Sequence, residues 1–251
     1  EISRLIGYDT FDANLPNPIK PGSLKATQIS ERRIRQLLCS SGLQEITTFS
    51  LVPKGNIQEN RVAISNPLLS ETSHLRTNLW EEHLNICKRN VDSGQKACWI
   101  FEIGKVYEKE DKGIAETSIL AGAITGNRIL SNWQFNNTNE ELDYYEARGL
   151  LHSCFLSLNL NIEDRRLIGD ELMHPGKSAE LFLEGRSIGK FGQLHPTIQD
   201  SKQIQKSVYI FELILDNILI ASTRKSVWRR SFKNYPTVPS MERDISIILN
   251  K

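Results

Sequence analysis

Between residues 61 and 90 the chain changes its hydrophobic period once, and that change limits the folds open to it. The run opens on Val62-Ala63-Ile64, an apolar triplet that reads as a short strand. Asn66-Pro67 stops it, because proline has no N–H to give to a sheet ladder. A polar patch follows, Ser70-Glu71-Thr72-Ser73, and then Leu75-Arg76-Thr77. From there Leu79, Trp80, Leu84, Cys87 and Val91 recur mostly at helical spacing, with Thr77 or Asn78 placed to cap the start. On periodicity alone this is a core strand and an amphipathic helix joined by a solvated loop. The lone Arg76 at the loop–helix junction is also a candidate relic of a substrate or phosphate site, since a helix N-terminus favours anions.

The rest of the chain extends the same mixture. Residues 1–9 read as the end of a helix stopped by Gly7. Residues 27–42 read as a helix capped by Thr27 or Ser30, burying Ile34, Leu37 and Leu38 and carrying Arg32, Arg33 and Arg35 outside. Residues 43–52 alternate as a strand. Residues 97–107 are the strongest strand, rich in aromatic and β-branched side chains (Trp99, Ile100, Phe101, Ile103, Val106, Tyr107). Residues 119–125 form another, and residues 127–139 read as a loop. A long helix spans 140–158. Residues 179–184 and 187–192 make a hairpin turning on Glu184-Gly185-Arg186. Pro196 opens a short helix, 208–215 is a buried strand, and 216–221 is one helical turn. The expected total is about six to eight strands and four helices, with hairpins and no βαβ alternation. That pattern is α+β, with a mostly antiparallel sheet flanked by helices. No repeat with a period of about 20–50 residues is visible.

Composition excludes several function classes. The 251 residues hold 31 basic against 30 acidic side chains, so the chain is no general polyanion binder, and any nucleic-acid contact must come from a local patch. Cys39, Cys87, Cys98 and Cys154 lack metal-type spacing and are expected as free thiols. No apolar run approaches the roughly 20 residues that span a bilayer, so no membrane contact is expected. Pro16, Pro18, Pro21 and Gly22 mark a linker over 10–23, and a second lies over 222–240. The expected units are 1–22, 23–222 and 223–251, the last beginning a new strand near Arg243. Glu1 in place of methionine, and a final strand without a hairpin partner, lead us to expect an internal piece of a longer protein.

Three further segments carry candidate chemistry. His174-Pro175-Gly176-Lys177-Ser178 combines a permissive glycine with a cation and a hydroxyl, so His174 and Lys177 are candidate ligand or interface residues beside Arg76. The reading as a structural turn is the favoured one, since phosphate-loop spacing is missing. His174 and His195 lack a third metal ligand at suitable spacing. The stretch 225–235 interleaves Arg229, Arg230 and Lys233 with Trp228, Phe232 and Tyr235, which suits either RNA contact or a linker whose aromatics cover a domain seam.

A set of segments in fixed order also resembles a known family. Residues 66–84 (NPLLSETSHLRTNLWEEHL), 1–8 (EISRLIGY), 101–104 (FEIG), 173–179 (MHPGKSA), 188–196 (IGKFGQLHP) and 235–245 (YPTVPSMERDI) span the whole chain. They are similar to the beta subunit of bacterial-type phenylalanyl-tRNA synthetase. The resemblance implies a class II aminoacyl-tRNA synthetase-like core that is catalytically degenerate, with no catalytic residue in this chain. Such cores grip ATP with an arginine ending a glycine-rich strand, but here that strand ends Gln193-Leu194-His195. They also pair an arginine with an acid, but Arg76 is followed by Thr77-Asn78. The resemblance further implies ATP bound by an alpha subunit in an alpha2beta2 heterotetramer and tRNA(Phe) as a second partner. It implies Mg²⁺ held in part by Glu1, an anticodon-binding domain starting within 223–251, and a cytoplasmic or organelle-stroma location. The alternatives are a self-contained ATP-dependent ligase using Arg76, His174 and Lys177, or an RNA-binding module using Arg229, Arg230 and Lys233.

Overall fold

The computed structural model describes all residues except 16–20, 56–59, 112, 128–139, 225–233, 235–236, 240 and 248–251. Its elements run in the order α1 (Ile2–Ile6), α2 (Ala26–Ser40), β1 (Gln44–Glu45), β2 (Leu51–Val52), β3 (His74–Leu75), α3 (Trp80–Asp92), β4 (Ala97–Glu110) and β5 (Gly113–Gly126). Then come α4 (Tyr144–Ser157), β6 (Ile162–Arg166), β7 (Met173–Leu183), β8 (Arg186–Leu194), α5 (Pro196–Ser201), β9 (Val208–Ile214) and α6 (Leu215–Ser222). Seven strands form one mixed sheet in the order β1-β4-β5-β9-β8-β7-β6. β1 runs parallel to β4, and every other neighbouring pair is antiparallel.

Local chemistry accounts for the elements. Gly7 takes φ 94° where α1 stops. Asp143 caps α4 by accepting the Glu146 N–H while the Glu146 side chain accepts the Asp143 N–H, the reciprocal capping box. Asn78 accepts the Glu81 N–H at the start of α3. The β7–β8 hairpin turns on Glu184 (φ 52°) and Gly185 (φ 79°), two positive-φ positions whose twist matches the flanking strands. Pro196 sits in the first turn of α5, where its missing N–H has no partner to lose.

Several expectations shift. The strand expected over 43–52 is two short ones in different sheets, because the chain leaves β4 after Glu45 and pairs again at Leu51 and Val52 with β3. The strand expected at 62–64 is a single bridge from Ala63 to His74 on the other side of β3. β5 begins at Gly113, six residues earlier than its apolar run, as the alternating solvent-exposed half of a long hairpin with β4. β6 was missed because only Ile162 of its five residues is buried. Residues 241–247 carry no regular structure, so the expected strand from Arg243 is absent there.

The two faces of the sheet are covered unequally. On one face Trp99, Phe101, Leu120, Ile124, Phe191, Tyr209, Phe211 and Leu213 pack with Ile34 and Leu38 of α2, Ala147, Leu151 and Phe155 of α4, and Ile218 and Leu219 of α6. α2 and α6 also touch through a buried contact between the Ser30 and Ser222 hydroxyls. The alternate residues Cys98, Ile100, Ala123, Val208 and Ile210 face the other way, under Leu84 and Cys87 of α3. Farther along that face Val106, Ile119 and Ala121 pack with Leu79, at the start of α3. Leu172, Met173, Leu194 and Ile204 complete the cluster under α3, and a cleft opens on this face over Val106, Ile119, Lys190 and Glu212.

Candidate functional site

Side chains on the second face form a row that crosses the sheet. Register aligns Glu102 with Ala121, Ala121 with Glu212, Glu212 with Lys190, and Lys190 with Glu180. Residues directly opposite in a ladder share a face, so four charged groups line up from β4 to β7.

One end of the row is buried. The Arg76 guanidinium donates from Nη1 to Glu102 Oε1 at 3.0 Å and to Thr48 Oγ1 at 2.7 Å, and from Nε to the Lys105 carbonyl at 2.9 Å. The second Glu102 oxygen accepts from Thr48 Oγ1 at 2.7 Å and faces His83 Nε2 at 3.3 Å. Arg76 is 4% exposed, Glu102 2% and His83 0%. Burial would raise the Glu102 carboxyl, but donation from His83 and Thr48 and the charge of Arg76 outweigh it, pulling it down to about 2. Gly104 makes the room: a Cβ there would lie 2.5 Å from Arg76 Nη2 and 2.9 Å from Glu102 Oε1. The segment Phe101-Glu102-Ile103-Gly104 thus supplies both the counter-ion and the space for Arg76.

The middle of the row closes the start of α3. Glu212 Oε1 accepts the Leu79 N–H at 3.3 Å, so the protein's own carboxylate stands where an anion would meet the helix N-terminus. Burial pushes the Glu212 carboxyl up; the Leu79 N–H and nearby Lys190 oppose this only in part. Lys190 donates to Asp170 Oδ2 at 2.5 Å, and Glu180 accepts the Ser187 hydroxyl at 2.5 Å. A cleft of about 420 Å³ opens over this stretch, with Thr77, Val106, Glu108, Thr117 and Ile119 among its walls.

The sequence-derived candidates do not converge. Arg76 lies in the buried network beside β4. His174 and Lys177 lie on β7, separated from β4 by three strands of the sheet. There β7 bulges between Met173 and Ser178, and Pro175, Gly176 and Lys177 are exposed. His174 Nδ1 accepts the Gly176 N–H at 3.0 Å, and His195 Nδ1 accepts the Thr197 N–H at 3.3 Å. Each ring serves its own turn. Glu1 is exposed at the start of α1. Among the described residues no group of three or more His, Cys, Asp or Glu could hold a metal ion, so these residues do not by themselves form a Mg²⁺ site around Glu1. Arg229, Arg230 and Lys233 lie outside the described residues. Sequence reasoning did not single out Glu102, His83, Lys190 or Glu212. For Glu102 and Glu212 a signal existed, since each is the lone acid inside a run of apolar strand residues.

Comparison with known proteins places this arrangement. A family model described as "Phenylalanyl tRNA synthetase beta chain CLM domain" matches residues 13–215. A phenylalanine–tRNA ligase beta subunit from a strain of Prochlorococcus marinus is 56% identical over 250 residues, covering 100% of this chain and 30% of the relative. One from a strain of Synechococcus sp. is 50% identical over 251 residues, covering 100% of this chain and 31% of the relative. The chain therefore spans under a third of the length of these relatives, with all of its own length inside the match. On both findings, the chain belongs to the phenylalanyl-tRNA synthetase beta chain family.

Proposed function

We propose that this chain is a non-catalytic, class II synthetase-like core of a phenylalanine–tRNA ligase beta subunit. In that reading it docks on an alpha subunit, within an alpha2beta2 heterotetramer, and supports the joining of phenylalanine to tRNA(Phe) with ATP. One observation carries the non-catalytic part: both features suited to gripping a nucleotide are already satisfied from within. Glu102 neutralises Arg76, and Glu212 occupies the start of α3. A triphosphate would have to displace the buried Glu102 carboxylate and the half-buried Glu212 carboxylate and add its own charge beside them, which electrostatics opposes. In this reading ATP is bound by the alpha subunit.

Residues 23–222 form the core in this proposal, with 1–22 and 223–251 belonging to its neighbours. Any Mg²⁺ bound through Glu1 needs carboxylates supplied from elsewhere in the enzyme. The location is the cytoplasm or an organelle stroma; among the described residues no helix is long and apolar enough to cross a membrane.

The test mixes the folded chain with purified alpha subunit in analytical ultracentrifugation and assays pyrophosphate exchange by each alone. A sedimenting complex, with exchange absent from this chain, is expected. Exchange by this chain alone would overturn the non-catalytic assignment, and absence of a complex would overturn the docking role.

A further inference from the structure

We propose that the cleft beside the start of α3 binds a small primary ammonium ion bearing a short apolar tail. The site does not depend on the enzyme reading above. Its volume, about 420 Å³, lies in the range of small-molecule clefts. Three carboxylates line it, those of Glu108, Glu180 and Glu212, against one cation, Lys190. Lys190 is already held by Asp170 at 2.5 Å. The remaining charge excludes an anionic ligand. Apolar walls from Val106, Ile119 and Ile214 leave room for a hydrocarbon body.

Glu212 selects the head group. Among the described residues its half-buried carboxylate accepts one hydrogen bond, the 3.3 Å contact from the Leu79 N–H, and the rest of its acceptor capacity opens to the cleft. A neutral apolar guest would desolvate that carboxylate further without repaying it. An ammonium group offers three N–H donors and the opposite charge, so it answers both deficits.

The test is a ¹⁵N-labelled NMR titration of the chain with n-pentylamine, and with n-pentanol as its uncharged counterpart, at constant ionic strength and neutral pH. The amides of Thr117, Gly189 and Glu212 are expected to shift saturably with the amine, with a Kd on the order of millimolar for so few atoms. Pentanol is expected to bind at least about tenfold more weakly, the size of one charge-assisted hydrogen bond. Glu212→Gln keeps an acceptor for the Leu79 N–H and removes the charge; it is expected to weaken the amine by a similar factor. Thr117→Phe fills the cleft with its carboxylates intact and is expected to abolish binding. No saturable shift in the folded chain, equal binding of amine and alcohol, or unchanged affinity in Glu212→Gln would each overturn the proposal.

Discussion

Arg76 and Lys177 both stand in polar segments beside a permissive turn or helix start, and sequence treats them alike. The structure separates them. Arg76 is 4% exposed and tied to Glu102, Thr48 and the Lys105 carbonyl, whereas Lys177 projects from a bulge at the rim of β7. The difference lies in what comes from elsewhere in the chain. Arg76 is answered by an acid 26 residues away on β4, and once so answered a cation holds structure together and no longer offers charge to a ligand.

Four measurements can break or sharpen that contrast. Glu102→Ala leaves Arg76 buried without its counter-charge and His83 Nε2 without its partner; it is expected to cost about 3–5 kcal/mol in urea unfolding. The same carboxylate sets an acid limit. Its pKa is lowered from 4.5 to about 2 in the folded state, so its contribution is complete above pH 4.5 and is lost as pH falls toward 2. Unfolding midpoints measured across that window should slope downward in the parent and flatten in Glu102→Gln. A parent without the slope would mean Arg76 is not engaged as described.

Gly104→Ala ranks second. Its Cβ would lie 2.5 Å from Arg76 Nη2, so the guanidinium must shift while held by Glu102, at about 1–3 kcal/mol by thermal or urea unfolding. Third, Glu212→Gln removes a charge whose burial raises its pKa; such a group stabilises folding most at low pH and loses that contribution as pH rises through its folded pKa. The variant should therefore gain stability at neutral pH, with the gain fading in acid. Smallest of all, Lys177→Ala is expected within about 0.5 kcal/mol of the parent, and a loss of several kcal/mol would erase the contrast with Arg76.

Much of the fold was legible because it rests on local signals. The helix after Thr77, the stop at Gly7, the turn at Glu184-Gly185 and the Pro196 helix start each depend on neighbouring residues. The open half of β5 and the exposed β6 were not, since solvated strands carry no apolar run. The site was legible only in part. Arg76 stood out as a lone cation, but its neutralisation depends on strand register, and the pairing of Glu102, Ala121, Glu212 and Lys190 across four strands has no trace in local sequence.

The touching hydroxyls of Ser30 and Ser222 join the first helix of the sheet-bearing unit to its last, 192 positions apart. The polypeptide consequently leaves this unit close to where it enters. A module with adjoining entrance and exit can sit within a longer polypeptide like a bead on a short stem, leaving whatever precedes and follows it nearly in register.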